Sequence, residues 1–178
     1  MPSLVGSEMC IRDRFSFGFN GYIDNMKGLE KNKNKLNYTK FTKERKNKAN
    51  LKMKGVFHPS IKNPIKNSIS LDKNRIITGP NAAGKTTILK ATILNTIFSQ
   101  QFGMGYYKKC YLLPFHYIHC YINIPDTCGR DSLFQAEARR CKDILNIVNK
   151  HSTKRHFCVF DELYSGTNPY EAISSAYG

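Results

Sequence analysis

The apolar stretch Arg75-Ile76-Ile77-Thr78 runs into Gly79-Pro80-Asn81-Ala82-Ala83-Gly84-Lys85-Thr86, and a long apolar helical pattern follows at once. This strand–loop–helix order around G-x-x-x-x-G-K-T constrains the chain more than any other feature. The glycines let backbone N–H groups turn inward around phosphate oxygens. Lys85 brings a charge to the outer phosphates, and the Thr86 hydroxyl suits Mg²⁺. A helix starting near Gly84 points its positive end at the same anion. A chain built on such a unit is expected to be α/β, with a mainly parallel central sheet.

A phosphate loop needs a second strand that supplies an acid for the metal. His156-Phe157-Cys158-Val159-Phe160 is apolar at consecutive positions, as in a strand covered on both faces, and Asp161-Glu162 follow directly. Asp161 is placed to hold Mg²⁺ through water, and Glu162 to orient or deprotonate an attacking water. The pair argues for nucleotide hydrolysis rather than storage.

Other segments fill out the pattern. Residues 85–101 read as a largely buried helix, because apolar side chains cover most of its surface. Residues 110–124 read as one or two strands interrupted by Pro114. From Ser132 a second helix carries Phe134, Ala138, Cys141, Leu145 and Val148 at three- or four-residue steps. Pro169 opens a last helix, in which the sequence stops without a terminating signal. A truncated domain over 55–178 is therefore expected.

Upstream of it the composition differs. Residues 27–54 hold eleven of the 28 Lys and Arg residues but only two acids, Glu30 and Glu44, within a chain of net charge +15. The functional reading of this block is a DNA-contacting arm that releases counterions from phosphates. The alternative, which composition favours, is a solvated basic segment over 15–54. Tyr38 and Phe41 are its only aromatic residues beyond position 27, which argues against a stacking platform for single strands. Residues 1–14 resemble a translated sequencing-library adapter, or else form a disordered terminus. No run approaches the ~18 apolar residues of a membrane span. Six cysteines without C-x-x-C spacing read as reduced thiols in the cytoplasm or nucleus.

Between the two motifs the sequence becomes more specific. Ser132, Phe134 and Glu137 form an S-x-F-x-x-E arrangement that resembles the signature of the MutS family of mismatch-repair ATPases. T-G-P-N-A-A-G-K-T-T and D-E-L-Y-S-G-T-N-P-Y-E-A resemble two further elements of that family, in the same order. F-H-P-S-I and P-I-K-N-S-I-S-L echo two more, so the resemblance covers about residues 55–178. It implies an ABC-ATPase-like P-loop fold that binds ATP and Mg²⁺. Gly79, Pro80, Asn81, Ala82, Ala83, Gly84, Lys85, Thr86 and Thr87 would surround the phosphates, with Thr86 and Asp161 serving the metal. Lys85, Glu162 and Ser132 would be catalytic, Ser132 reaching the γ-phosphate held by a partner subunit. The resemblance also implies a homo- or heterodimer joined through the ATPase face, acting on double-stranded DNA through the rest of the parent protein. The composition looks like homologues from large DNA viruses or AT-rich microbes.

The chain departs from the family pattern at Ala82-Ala83, at Pro64 where an aromatic is usual, and at Tyr164-Ser165-Gly166 where Gly-Arg-Gly is usual. Pro64 weakens the case for adenine stacking there. Two other readings stand beside this one: another ABC-superfamily ATPase of SMC or recombination type, and a nucleotide- or DNA-binding fragment without turnover. His116, His119, Cys120 and Cys128 could be imagined as a zinc site, but His116 and His119 fall on opposite faces of an alternating strand. Arg139 and Arg140 could touch a nucleotide, though such a pair more often forms a solvated face.

Overall fold

A computed structural model describes residues 5–43, 50–122 and 133–177. The chain divides into two compact units, Met1–Asn37 and Tyr38–Gly178. The first consists of helix α1 (Val5–Lys31) and a single 3₁₀ turn at Lys33–Lys35. Residues 5–14, expected to be disordered or artefactual, are helical here; no proline interrupts the chain between Val5 and Lys31 to stop a helix.

From Tyr38 onward the second unit holds β1 (Asn37–Phe41, its first residue at the division) and β2 (Leu51–Val56), which come out of the basic block expected to be a flexible segment. Leu51 and Met53 are fully buried while Lys52 and Lys54 face out. That alternation of period two is what a half-buried strand requires, and overall lysine content conceals it. β3 (Asn67–Leu71), β4 (Met104–Gly105) and β5 (Lys109–Leu112) complete a five-stranded sheet in the order β3-β2-β5-β1-β4. β2 is antiparallel to both β3 and β5, whereas β1 is parallel to β5. The expectation of a mainly parallel sheet is thus corrected: the larger sheet is mixed. β2 and β3 are consecutive strands joined without a helix, a connection that gives antiparallel neighbours, whereas α2 lies between β3 and the strands β4 and β5.

A parallel pair does form where the second motif lies. β6 (Tyr117–Tyr121) and β7 (His156–Phe160) run side by side, from Tyr117 opposite His156 to Tyr121 opposite Phe160. They are joined through α3 (Leu133–Lys150), as a parallel pair requires a crossover. β7 is not covered on both faces: Phe157 and Val159 are buried, while Cys158 and Phe160 are exposed.

α2 (Lys85–Phe102) packs on the larger sheet, and α4 (Pro169–Tyr177) closes the described chain. Leu51, Met53, Ala91, Leu112, Phe157 and Val159 belong to one core, so α2 and both sheets share it. As expected, α2 is largely buried, but its most buried positions are polar. Asn95 donates to the carbonyls of Ala91 and Phe57 (2.8 and 3.1 Å) and accepts from the Tyr106 N–H (2.6 Å). Satisfied in this way, the amide fixes the loop before β5 instead of costing desolvation. On α3 the inward stripe is Phe134, Glu137, Cys141, Ile144 and Val148, whereas the expected Leu145 is 59% exposed. Residues 75–79 pair with no strand among the described residues, and Ile76 is 91% exposed. The expected strand into the glycine loop is absent because nothing described lies alongside to take its backbone hydrogen bonds. Among the described residues no helix is long and apolar enough to cross a membrane.

Candidate functional site

Gly79 to Ala83 form an exposed loop that ends at Gly84, the residue capping the N-terminus of α2. Gly84 has φ 89°, and an added Cβ would be strained there whatever the space around it. That left-handed step turns the chain into the helix. The first backbone N–H groups of α2, from Lys85 onward, then lack intrahelical partners and face the loop end. Lys85 bends back over the loop, its Nζ donating to the carbonyls of Gly79 (2.9 Å) and Pro80 (3.0 Å). Half-buried Thr86 donates from Oγ1 to Asp161 Oδ2 at 2.6 Å. The two residues expected to serve a metal, 75 positions apart in sequence, therefore meet. A hydroxyl and a carboxylate are hard oxygen donors of the kind Mg²⁺ prefers.

Asp161 is held at the end of β7, where its N–H donates to the Tyr121 carbonyl across the parallel pair (2.9 Å). Glu162 follows, exposed, with φ 48°. A non-glycine residue in this region is uncommon, and here it lies in the turn that leads the chain away from β7. Two clefts flank the loop. One of about 950 Å³ is lined by Lys85, Asp161 and Glu162. The other, about 850 Å³, is lined by Phe57, His58, Pro64, Ile65, Gly84 and Thr87. Both are the size of small-ligand sites. Ser132 and Cys128 lie outside the described residues.

Glu137 stands out beyond the expected set. It is 3% exposed, yet it accepts from the Ser165 N–H (3.2 Å), the Ser165 hydroxyl (2.9 Å) and the Gly166 N–H (3.2 Å). A buried carboxylate is retained only when donors replace its water, and all three come from the turn after Asp161-Glu162. Gly166 comes so close to α3 that an added Cβ would lie 2.8 Å from Leu133 Cγ. In the sequence Glu137 is marked as the last letter of S-x-F-x-x-E, and it also stands three residues after Phe134 and four before Cys141, on an apolar stripe where an acid needs a partner.

His119, also buried, belongs to a different cluster. Its Nε2 lies 3.0 Å from His156 Nδ1, while His156 Nε2 lies 3.0 Å from the His151 carbonyl. A carbonyl only accepts, so His156 Nε2 donates to it, and in the neutral ring of His156 the Nδ1 is then the acceptor for His119 Nε2–H. Burial, then the neighbouring His156 and Arg140, push the His119 pKa below its ordinary value. His116 is exposed, and among the described residues no three His, Cys, Asp or Glu side chains converge to hold a metal. Arg140 caps the Cys120 carbonyl (3.3 Å). Cys110, Cys120, Cys141 and Cys158 are free thiols.

Residues 75–178 match the family described as MutS domain V. The chain is 35% identical over 126 residues to an endonuclease MutS2 of Thermus thermophilus, covering 67% of this chain and 16% of that protein. It is 32% identical over 137 residues to a DNA mismatch repair protein MutS of Parabacteroides distasonis, covering 70% and 15%. A DNA mismatch repair protein Msh3 of Dictyostelium discoideum is 33% identical over 118 residues, covering 66% and 8%. The chain thus spans no more than 16% of the length of these relatives. They are bacterial and eukaryotic, and neither a viral origin nor an adapter at residues 1–14 gains support from them.

Proposed function

The chain belongs to the MutS family, and on that premise we propose that it is an ATP-binding and ATP-hydrolysing unit of a DNA mismatch-repair protein. The observation that carries this reading is the 2.6 Å hydrogen bond between Thr86 and Asp161, with Lys85 on the adjacent turn. It joins the glycine loop to the acid pair, as a shared Mg²⁺–nucleotide site demands. In this reading Gly79–Thr87 wrap the phosphates through backbone N–H groups and the end of α2, and Lys85 gives up its loop carbonyls for the outer phosphates. Thr86 and Asp161 would hold Mg²⁺, which would neutralise phosphate charge there. Glu162 would orient and deprotonate the attacking water. The cleft beside Phe57, His58 and Ile65 would take the nucleoside end, where aliphatic surface replaces the aromatic missing at Pro64.

Ser132, one residue before α3, would serve the ATP of a partner subunit, so that two chains complete each site. Glu137 ties the helix that follows Ser132 to the turn that follows Glu162. A change at one shared site would thereby reach the other residue of the same chain. The parent protein would use this dimeric cycle to couple ATP state to double-stranded DNA. The experiment is equilibrium ATP binding in the presence of Mg²⁺. Lys85→Ala should abolish measurable affinity while circular dichroism stays unchanged. A folded Lys85→Ala chain with the affinity of the parent would rule the assigned loop out.

A further inference from the structure

The strand register gathers lysines that are scattered in sequence onto one surface. In the five-stranded sheet Lys52 lies opposite Tyr111, Tyr111 opposite Lys40, and Lys54 opposite Lys109. Leu51, Met53, Cys110 and Leu112 alternate with them and fill the core, so the lysines and tyrosines share the outward face. Tyr38, two residues before Lys40, projects to the same side and is 81% exposed; Tyr111 is 36% exposed. The Lys40 ammonium lies 6.0 Å from the centroid of the Tyr111 ring.

This arrangement is costly for a surface with no partner. Like charges directly opposite across two strands repel, as Lys54 and Lys109 do. No Asp or Glu occurs in β1, β2, β3 or β5, and the single ion pair among the described residues, Arg75–Asp72, involves none of these lysines. Four unpaired ammonium groups around two accessible rings match a polyanion that carries stacking groups. A closed duplex keeps its bases stacked on one another, whereas a single strand offers accessible rings unstacked bases as well as phosphates.

We infer that the outward face of the five-stranded sheet binds single-stranded nucleic acid, with Tyr38 and Tyr111 as stacking sites and Lys40, Lys52, Lys54 and Lys109 as phosphate contacts. The surface is separate from the glycine loop and does not depend on the ATPase reading. It also reverses the expectation drawn from residues 27–54 alone, because the second ring, Tyr111, enters from β5.

The test uses the whole chain and a fluorescent oligothymidine of about 20 nucleotides, longer than one sheet-sized site, followed by anisotropy over a range of salt. The wild-type chain should bind it more tightly than a duplex of equal length. Changing Lys40, Lys52, Lys54 and Lys109 together to Gln should weaken binding about tenfold or more and reduce the salt slope by about three. The same four changed to Arg should bind like the parent, which separates charge from folding. Replacing the exposed Lys62, Lys142, Lys150 and Lys154 by Gln should cost far less. Tyr38→Leu with Tyr111→Leu should weaken the single strand and leave duplex binding unchanged. The inference is overturned by any of four results: no saturable binding by the wild-type chain, a preference for duplex, equal loss in the two lysine sets, or tyrosine variants that bind the single strand as the parent does.

Discussion

At the scale of single residues, the chemistry of this chain rests on side chains that meet across long stretches of sequence. Thr86 and Asp161 were recognisable beforehand because each sits at a fixed place in a motif, and the structure brings them within hydrogen-bond distance. Glu137 was visible as one letter of S-x-F-x-x-E, but its partners were not, since they lie 28 and 29 residues away on a turn. That buried carboxylate yields a stability prediction. Glu137→Ala leaves the Ser165 and Gly166 N–H groups without their acceptor and should destabilise the chain by about 2 kcal/mol. Glu137→Gln, which keeps one acceptor oxygen, should lose less. Urea unfolding of the two variants measures the order, and equal loss would mean that the carboxylate is not the anchor.

At the scale of elements, period and punctuation were readable while neighbours were not. α2, α3 and α4 lie where apolar spacing and Pro169 placed them, and Pro114 does separate β5 from β6. β1 and the start of β2 are not legible in the sequence because eleven basic residues mask the alternation Leu51-Lys52-Met53-Lys54. The stretch before Gly79 shows the converse. Its composition is strand-like, but a strand is a pairwise structure and no described partner flanks it. The β6–β7 pair makes its own prediction through His119. With its pKa lowered in the fold, His119 stays neutral there while the unfolded chain takes up a proton below the ordinary value of 6.5. Stability is thus fully present above that value and is lost as pH falls towards the folded pKa. The thermal midpoint should drop between about pH 7.5 and about pH 5.5, and His119→Gln should flatten the drop. An identical pH dependence in that variant would contradict the assignment.

For the whole molecule, the family membership of residues 75–178 was legible because three short motifs within them keep their order, whereas sheet topology was not written in any of them. The mixed sheet and its lysine face emerge only from strand register. If two chains share each ATP site, variants in different halves should rescue one another. In the longest reading frame that carries this chain, Ser132→Asp and Glu162→Gln should each be inactive in ATP hydrolysis. Mixed dimers should regain part of the activity, since one of their two sites then carries both lesions and the other neither. Mixed dimers that form yet remain as inactive as either parent would count against a shared site. The central claim is narrower and can be tested on the present chain: the loop and the acid pair act as one Mg²⁺–nucleotide site. The most direct measurement is a Mg²⁺ titration of ATP affinity in the parent, Thr86→Val, Asp161→Asn and the double variant. If the site is one unit, Mg²⁺ should strengthen ATP binding about tenfold or more in the parent, worth about 1.4 kcal/mol. Either single substitution should remove most of that gain, and the double should lose no more than one single does. Full Mg²⁺ dependence in Asp161→Asn, or losses that simply add, would contradict it.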